Sequence, residues 1–150
     1  MKHLTYHSPI GEITCLLDGG RLIEVIFGGY PGDALPVDET SGLGKELELY
    51  FRGRLREFKQ EIRLLGGTPF ERAVWLSLRE IPYGETRSYR WMAERVRRLG
   101  AARAVGQALG KNPLPIILPC HRVIASDGGL GGYSSGLDVK RWLLKHEGAI

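Results

Sequence analysis

"SYRWMAERVRRLGAARAVGQALGKN", residues 88–112, reads as two short helices joined by a tight turn. Ser88 is a hydroxyl N-cap ahead of residues 89–98, Gly100 interrupts the pattern, and residues 101–112 resume it until Asn112-Pro113 closes it. Two helices so joined outline a helix-turn-helix, whose second helix usually meets nucleic acid. In that second helix Ala101, Ala102, Ala104, Gly106, Ala108 and Gly110 leave little bulk, while Arg103 stands out near the start. Two readings are open: tight helix packing with Arg103 reaching into solvent, or close approach of the helix to a DNA groove.

Working outward, Thr68-Pro69 is a strong helix start, and "FERAVWLSLREI" (70–81) carries Phe70, Val74, Trp75 and Leu78 on one face until Pro82 and Gly84 stop it. On the other side, "PLPIILPCHRVIAS" (113–126) holds prolines at 113, 115 and 119, which exclude helix and deny ladder donors; a buried, irregular strand is expected. "DGGLGGYSSG" (127–136) is a glycine-rich loop able to lie against a ligand. Residues 137–148 form a last helix, with Val139, Trp142 and Leu143 facing inward and Gly148 as its C-cap.

Before residue 68 the pattern changes. "IGEITCLLDGGRLIEVIF" (10–27) reads as a hairpin turning at Asp18-Gly19-Gly20, residues 28–42 as a loop, residues 43–51 as a helix, and "FKQEIRLL" (58–65) as a returning strand. The chain is therefore α+β, with an N-terminal α+β lobe over residues 1–67 and a mostly helical lobe over 68–150.

Charge follows the same division. Residues 1–67 hold eight Lys/Arg against ten Asp/Glu, and residues 68–150 hold thirteen against seven, so a net charge of +4 conceals −2 and +6. The second lobe is the candidate for a polyanionic partner, with a plain solvated basic face as the other reading. No apolar run approaches the ~20 residues of a membrane span, and the start lacks the apolar core of a secretion signal, so a cytoplasmic protein is expected. One Asn, two Gln, two Cys and two Met stand against fifteen Arg. That scarcity of thermolabile residues suggests a hot-living source, although a biased genome gives the same excess.

The two cysteines show no zinc-ligand spacing, and no metal is expected. Cys15 lies in an apolar run as a small buried hydrophobe. Cys120 sits between Pro119 and His121. A reactive thiol needs help to ionise, and His121 can take its proton, directly or through water, with Glu147 orienting the imidazole. Adjacent residues of a true strand point to opposite faces, so cooperation requires a turn at this place. The residues alone leave open a structural Cys-His pair and a reactive one.

Residues 68–148, with "PYGETRSYRWMA" and "PCHRV" in this setting, resemble the O6-alkylguanine-DNA alkyltransferase family without a gap. The resemblance implies a ribonuclease-H-like N-terminal lobe and a C-terminal lobe bearing a winged-helix-like helix-turn-helix. It implies that Cys120 accepts the alkyl group as an anionic sulfur, that His121 is the water-linked base, that Glu147 polarises it, and that Asn112 braces the turns. Tyr89 would rotate the target phosphate and donate to the guanine. Arg103 would fill the gap left by the flipped base, with Ser88 and Ala102 among the DNA contacts. The carbonyls of Cys120 and Val123 would accept from the guanine amino group, Ser134 would donate to the leaving oxygen, and Tyr133 and Pro115 would wall the pocket.

The implied function is single-turnover repair of double-stranded DNA by a monomer, without cofactor or membrane. The substrate is O6-alkylguanine, with O4-alkylthymine as a further one. The alternative is an alkyltransferase-like module that binds the lesion without transfer; such relatives replace the thiol, commonly with tryptophan. "VRRLG" (96–100) departs from the Gly-Asn-Pro turn of many members, Gly132 precedes Tyr133 where others often carry a polar residue, and the zinc ligands of animal members are unmatched.

Overall fold

Asp18-Gly19-Gly20-Arg21 reverses the chain with φ of 58° and 80° at the two glycines, as a two-residue hairpin loop requires. The computed structural model describes residues 1–29, 32, 35–36 and 42–150. In it the hairpin joins β2 (Gly11–Asp18) to β3 (Arg21–Phe27). A strand absent from the sequence-based expectation, β1 (Lys2–Ser8), pairs antiparallel with β2 from Lys2 opposite Leu17 to Ser8 opposite Gly11. None of its residues is fully buried, so its sequence carries no apolar alternation to give it away. A two-residue strand, β4 (Leu35–Pro36), lies parallel to β1 and completes the order β3-β2-β1-β4. The rest of the loop expected over 28–42 falls mostly on residues 30, 31, 33, 34 and 37–41, outside the described residues.

Helix α1 (Leu43–Phe51) buries Leu43, Leu47, Tyr50 and Phe51, the face that its spacing indicated. The strand expected over 58–65 reduces to one parallel bridge, Leu22 with Ile62, held by Leu22 N–H donating to the Glu61 carbonyl (2.8 Å) and Arg63 N–H donating to that of Leu22 (3.0 Å). Lys59, Glu61 and Arg63 are exposed, and only Leu22 and Arg63 N–H make the backbone bonds of this contact, so no longer ladder forms.

Residues Met1–Leu65 form one compact unit and Gly66–Ile150 another. The second opens on a capping box. Thr68 Oγ1 accepts from Glu71 N–H (3.1 Å), and the Glu71 carboxylate accepts from Thr68 N–H (2.9 Å), at the head of α2 (Pro69–Ser77). The helix expected to reach Ile81 tightens into a 3-10 turn at Leu78–Glu80 before Pro82. A two-residue strand, β5 (Arg87–Ser88), leads into α3 (Tyr89–Arg95), capped by Ser88 Oγ accepting from Trp91 N–H (2.9 Å).

Helix α3 is shorter than expected because Arg97 takes a left-handed φ of 60° and Gly100 one of 79°. Then comes α4 (Ala102–Gly110), which buries Val105, Ala108 and Leu109. From α2, the Trp75 indole N–H donates to the Ala108 carbonyl (2.8 Å) and fixes α4 from its buried side. In place of the irregular strand expected over 113–126, the chain makes tight turns, a 3-10 turn at Cys120–Arg122, and only two strand residues, β6 (Val123–Ile124), parallel to β5. Three prolines remove the donors a longer ladder needs.

Helix α5 (Leu137–His146) inverts part of the expected inner face. Lys140, Leu143 and Leu144 are buried, whereas Val139 and Trp142 are half-buried. Gly148, with φ 76°, ends the helix at the position expected of it. Among the described residues no helix is long and apolar enough to cross a membrane.

Candidate active site

The turns before Cys120 are tied by one side chain. The Asn112 amide nitrogen donates to the Leu118 carbonyl (2.8 Å) and its oxygen accepts from Leu114 N–H (3.0 Å). Within this frame Ile116 is held at φ 74° and Cys120 N–H donates to the Leu118 carbonyl (2.7 Å). Because Cys120–Arg122 is a 3-10 turn, successive side chains step about 120° instead of alternating across a strand. The geometric obstacle to joint action of Cys120 and His121 is thereby removed.

Behind the turn lies a buried ionic set. His121 Nε2 meets the Glu147 carboxylate at 2.8 Å. The other face of that carboxylate takes Arg122 in a fork, Nε at 2.8 Å and an Nη at 3.1 Å, while the second Nη donates to the Ile81 carbonyl (2.7 Å). Burial alone would raise the Glu147 carboxyl, but hydrogen bonds and charges from His121 and Arg122 outweigh it and hold the group well below the usual carboxylate range. The ionised carboxylate then accepts the Nε2 proton of a neutral His121, leaving Nδ1 as its lone pair. Burial holds His121 below its ordinary value, aided by the charges of Arg122 and Lys140 and opposed by Glu147. Nδ1 is buried and has no protein hydrogen-bond partner.

Burial pushes the Cys120 thiol up, against the Asn112 amide, the Tyr133 hydroxyl and the Lys140 charge, which all favour the thiolate. With only 7% of the residue exposed, burial favours the neutral thiol, while these three groups stand ready to stabilise the anion once the proton leaves. Tyr133 faces it with a buried hydroxyl that makes no hydrogen bond of ordinary geometry.

Lys140 was not foreseen. Its ammonium donates to the carbonyls of Val123 (2.7 Å) and Gly132 (3.0 Å) and lies 5.8 Å from the centre of the Tyr89 ring. Burial lowers it to about 8, with the Cys120 charge pulling the other way. One signal could have found it. If Glu147 faces inward, residues three, four and seven before it share its face, and these are Leu144, Leu143 and Lys140. The Arg122 fork was missed as well.

Above Cys120 opens a cleft of about 710 Å³, lined by Tyr89, Ala102, Arg103, Gly106, Gln107, Leu109, Gly110, Cys120, Gly132, Tyr133 and Ser134. The Tyr89 oxygen accepts from Gly132 N–H (3.1 Å), which leaves its own proton to donate. Gly131, at φ 71°, has no room for a side chain: a Cβ would sit 2.3 Å from the Tyr89 oxygen. Arg103 is exposed, without a carboxylate within ion-pair distance among the described residues.

Of the residues singled out from sequence, Tyr89, Ala102, Arg103, Cys120, Tyr133 and Ser134 meet in the cleft. His121, Glu147 and Asn112 support its floor without lining it. Ser88 is spent on capping α3. Pro115 is buried and does not wall the cleft, and the Val123 carbonyl already accepts from Lys140, with one lone pair left. Pro115 is thus outside the cleft lining expected of it, whereas the Val123 carbonyl can still accept from a further donor. No group of three or more His, Cys, Asp or Glu is arranged to hold a metal ion among the described residues.

Residues 69–149 match the family described as 6-O-methylguanine DNA methyltransferase, DNA binding domain. The chain is 51% identical over 162 residues to a methylated-DNA–protein-cysteine methyltransferase of Methanosarcina acetivorans, covering 99% of both. The fold is similar to that of Mycobacterium tuberculosis OGT solved in complex with DNA, with a TM-score of 0.91 and 43% identity over 99% of this chain and 94% of that one. It is also similar to an O6-methylguanine-DNA methyltransferase from the hyperthermophilic archaeon Pyrococcus kodakaraensis, with a TM-score of 0.71 and 27% identity over 98% of each chain.

Proposed function

The chain belongs to the 6-O-methylguanine DNA methyltransferase family, and from that premise we propose that it repairs double-stranded DNA by moving the alkyl group of O6-alkylguanine to Cys120, once per molecule. O4-alkylthymine is a second substrate of the same chemistry. The observation that carries the reading is the arrangement below the cleft: a buried thiol beside a neutral imidazole whose far nitrogen is 2.8 Å from an ionised carboxylate.

The reaction is a displacement at saturated carbon. As Sγ bonds to the alkyl carbon, the bond from that carbon to guanine O6 breaks. The thiol proton passes toward His121 Nδ1, directly or through water, and the positive charge gained there is balanced by Glu147. The departing guanine is stabilised as an anion by hydrogen bonds from Tyr89 and Ser134 until it takes a proton, so thiol and alkylguanine become thioether and guanine. Lys140 favours the sulfur anion as it forms and ties the Gly132 loop to the Val123 carbonyl, which accepts from the guanine amino group beside that of Cys120. Tyr133 closes the pocket, and Asn112 holds the turn in register.

A target atom inside a duplex must first be brought out, at a cost of a few kcal/mol. Helix α4 enters the minor groove on its small residues, Tyr89 turns the phosphate, and Arg103 occupies the gap, with Ala102 beside it. The helix-turn-helix of residues 68–150 is then winged-helix-like, and the lobe of residues 1–67 is ribonuclease-H-like. The protein works as a monomer, in the cytoplasm where thiols stay reduced.

Intact mass after incubation with O6-methylguanine duplex tests this directly. One added methyl group per molecule is expected, absent in Cys120→Ser, which keeps duplex affinity within a few fold. Binding without any mass gain would instead make the protein a lesion-recognition module, and turnover beyond one equivalent would make it a hydrolase. Arg103→Ala is expected to slow reaction with duplex far more than reaction with free O6-benzylguanine.

A further inference from the structure

The turn between α3 and α4 has no part in the chemistry above, yet it carries two adjacent exposed arginines, Arg97 and Arg98. Arg97 and Arg98 follow the end of α3, with Arg97 N–H donating to the Glu94 carbonyl (3.0 Å) and Arg98 N–H to that of Ala93 (2.8 Å). Both side chains are exposed. Other arginines of this unit have an acidic partner: Arg87 has Glu85, Arg90 has Glu94, Arg95 has Glu80, Arg122 has Glu147 and Arg141 has Asp138. Arg97 and Arg98 have none within ion-pair distance among the described residues, and neither has Arg103, the second residue of α4. Three arginines without such a partner therefore stand close in sequence at the leading end of the helix whose small face lines the cleft.

Two features set these side chains apart from ordinary surface arginines. Arg97 is held at φ 60°, a conformation that glycine adopts freely and that a long side chain occupies at a penalty. Arg98 lays its guanidinium over the Phe70 ring, 5.5 Å from the centroid, so that the group is fixed before any ligand arrives while its edge stays open to solvent. Next to them Leu99 is 80% exposed, with no packing role that would require this turn sequence.

We infer that Arg97 and Arg98 form a phosphate clamp, gripping the DNA backbone beside the groove that α4 enters and setting the register of that helix without reading bases. The inference rests on the DNA-repair reading above. Charge complementarity selects the partner: two adjacent exposed arginines in the turn that precedes a groove-binding helix suit the phosphates of a duplex strand.

The test is the affinity of the full chain for an undamaged duplex as salt is raised, for Arg97→Gly, Arg98→Ala and the double variant. Arg98→Lys is the charge-preserving control, and Arg90→Ala, whose charge Glu94 already matches, is the comparison. Each lost contact is expected to reduce the slope of log affinity against log salt by about 0.9, and the double variant by about 1.8. Arg97→Gly should lose affinity several-fold while its melting temperature holds or rises, which a merely structural role for the side chain would not produce. Arg98→Lys should keep the slope. A double variant with the slope and affinity of the unaltered protein overturns the clamp. If the unaltered protein transfers alkyl groups at the same time, the repair reading stands and only this inference falls. A changed slope in a protein that transfers nothing would leave the clamp and remove the repair chemistry.

Discussion

Cys15 and Cys120 are both buried, at 0% and 7% exposure, and burial pushes both thiols up. Their surroundings divide them. Cys15 sits in the middle of β2, opposite Leu4 and Val25, where ladder bonds consume the backbone and the neighbours are aliphatic; nothing opposes burial, and its thiol is pushed up to about 12. Cys120 sits on a 3-10 turn, where the Asn112 amide, the Tyr133 hydroxyl and the Lys140 ammonium face the sulfur. Exposure does not distinguish an inert thiol from a reactive one here. What distinguishes them is whether polar groups converge on the sulfur when its proton leaves.

The sharpest way to break the contrast is to disarm the buried set. Glu147→Gln can no longer balance a protonated His121, and transfer is expected to slow by about 10²–10⁴-fold in single-turnover assays. The pH profile supplies the sign. Because His121 lies below its ordinary 6.5, its lone pair persists, and transfer should continue, as pH falls through that value. Glu147 raises His121, so its loss should move the acid limb lower still. Glu147 itself, held below its usual 4.5, contributes stability that is complete above that pH and lost as pH falls further.

A smaller effect comes from the cleft wall. In Gly131→Ala the new methyl meets the Tyr89 oxygen at 2.3 Å in a left-handed backbone, at a cost of about 1–3 kcal/mol by denaturant titration. Transfer should slow with it, because Tyr89 must move. Smallest is Cys15→Ala, expected to cost ~1 kcal/mol of stability and to leave one methyl accepted per molecule in the intact mass. Loss of acceptance there would erase the distinction between the two thiols.

Local chemistry made some of this legible beforehand. Thr68-Pro69, Asp18-Gly19-Gly20 and Gly148 declare caps and turns through neighbours a few residues away, and each is where its residues indicated. The Cys-His-Glu set was readable from the Pro-Cys-His-Arg core and a glutamate at the end of the last helix. What escaped depends on distant partners. β1 is a strand because β2 lies beside it, not because its own residues alternate. Residues 113–126 looked extended because proline forbids helix, yet Asn112 gathers them into turns through bonds to Leu114 and Leu118. Lys140 was passed over because a charged residue on an amphipathic helix normally faces water; its two carbonyl partners come from segments before the helix.

On the single-turnover reading proposed above, each molecule must stay sound while it waits. Asparagine ages when the main-chain nitrogen that follows it attacks the side-chain carbonyl, closing a ring that later opens to aspartate. The chain's single asparagine, Asn112, precedes Pro113, which has no N–H to offer, and its carbonyl oxygen and amide nitrogen are already committed to Leu114 and Leu118. Slow deamidation therefore has no easy entry at the brace of the reactive turn, and the shelf life of an unused molecule is decided elsewhere.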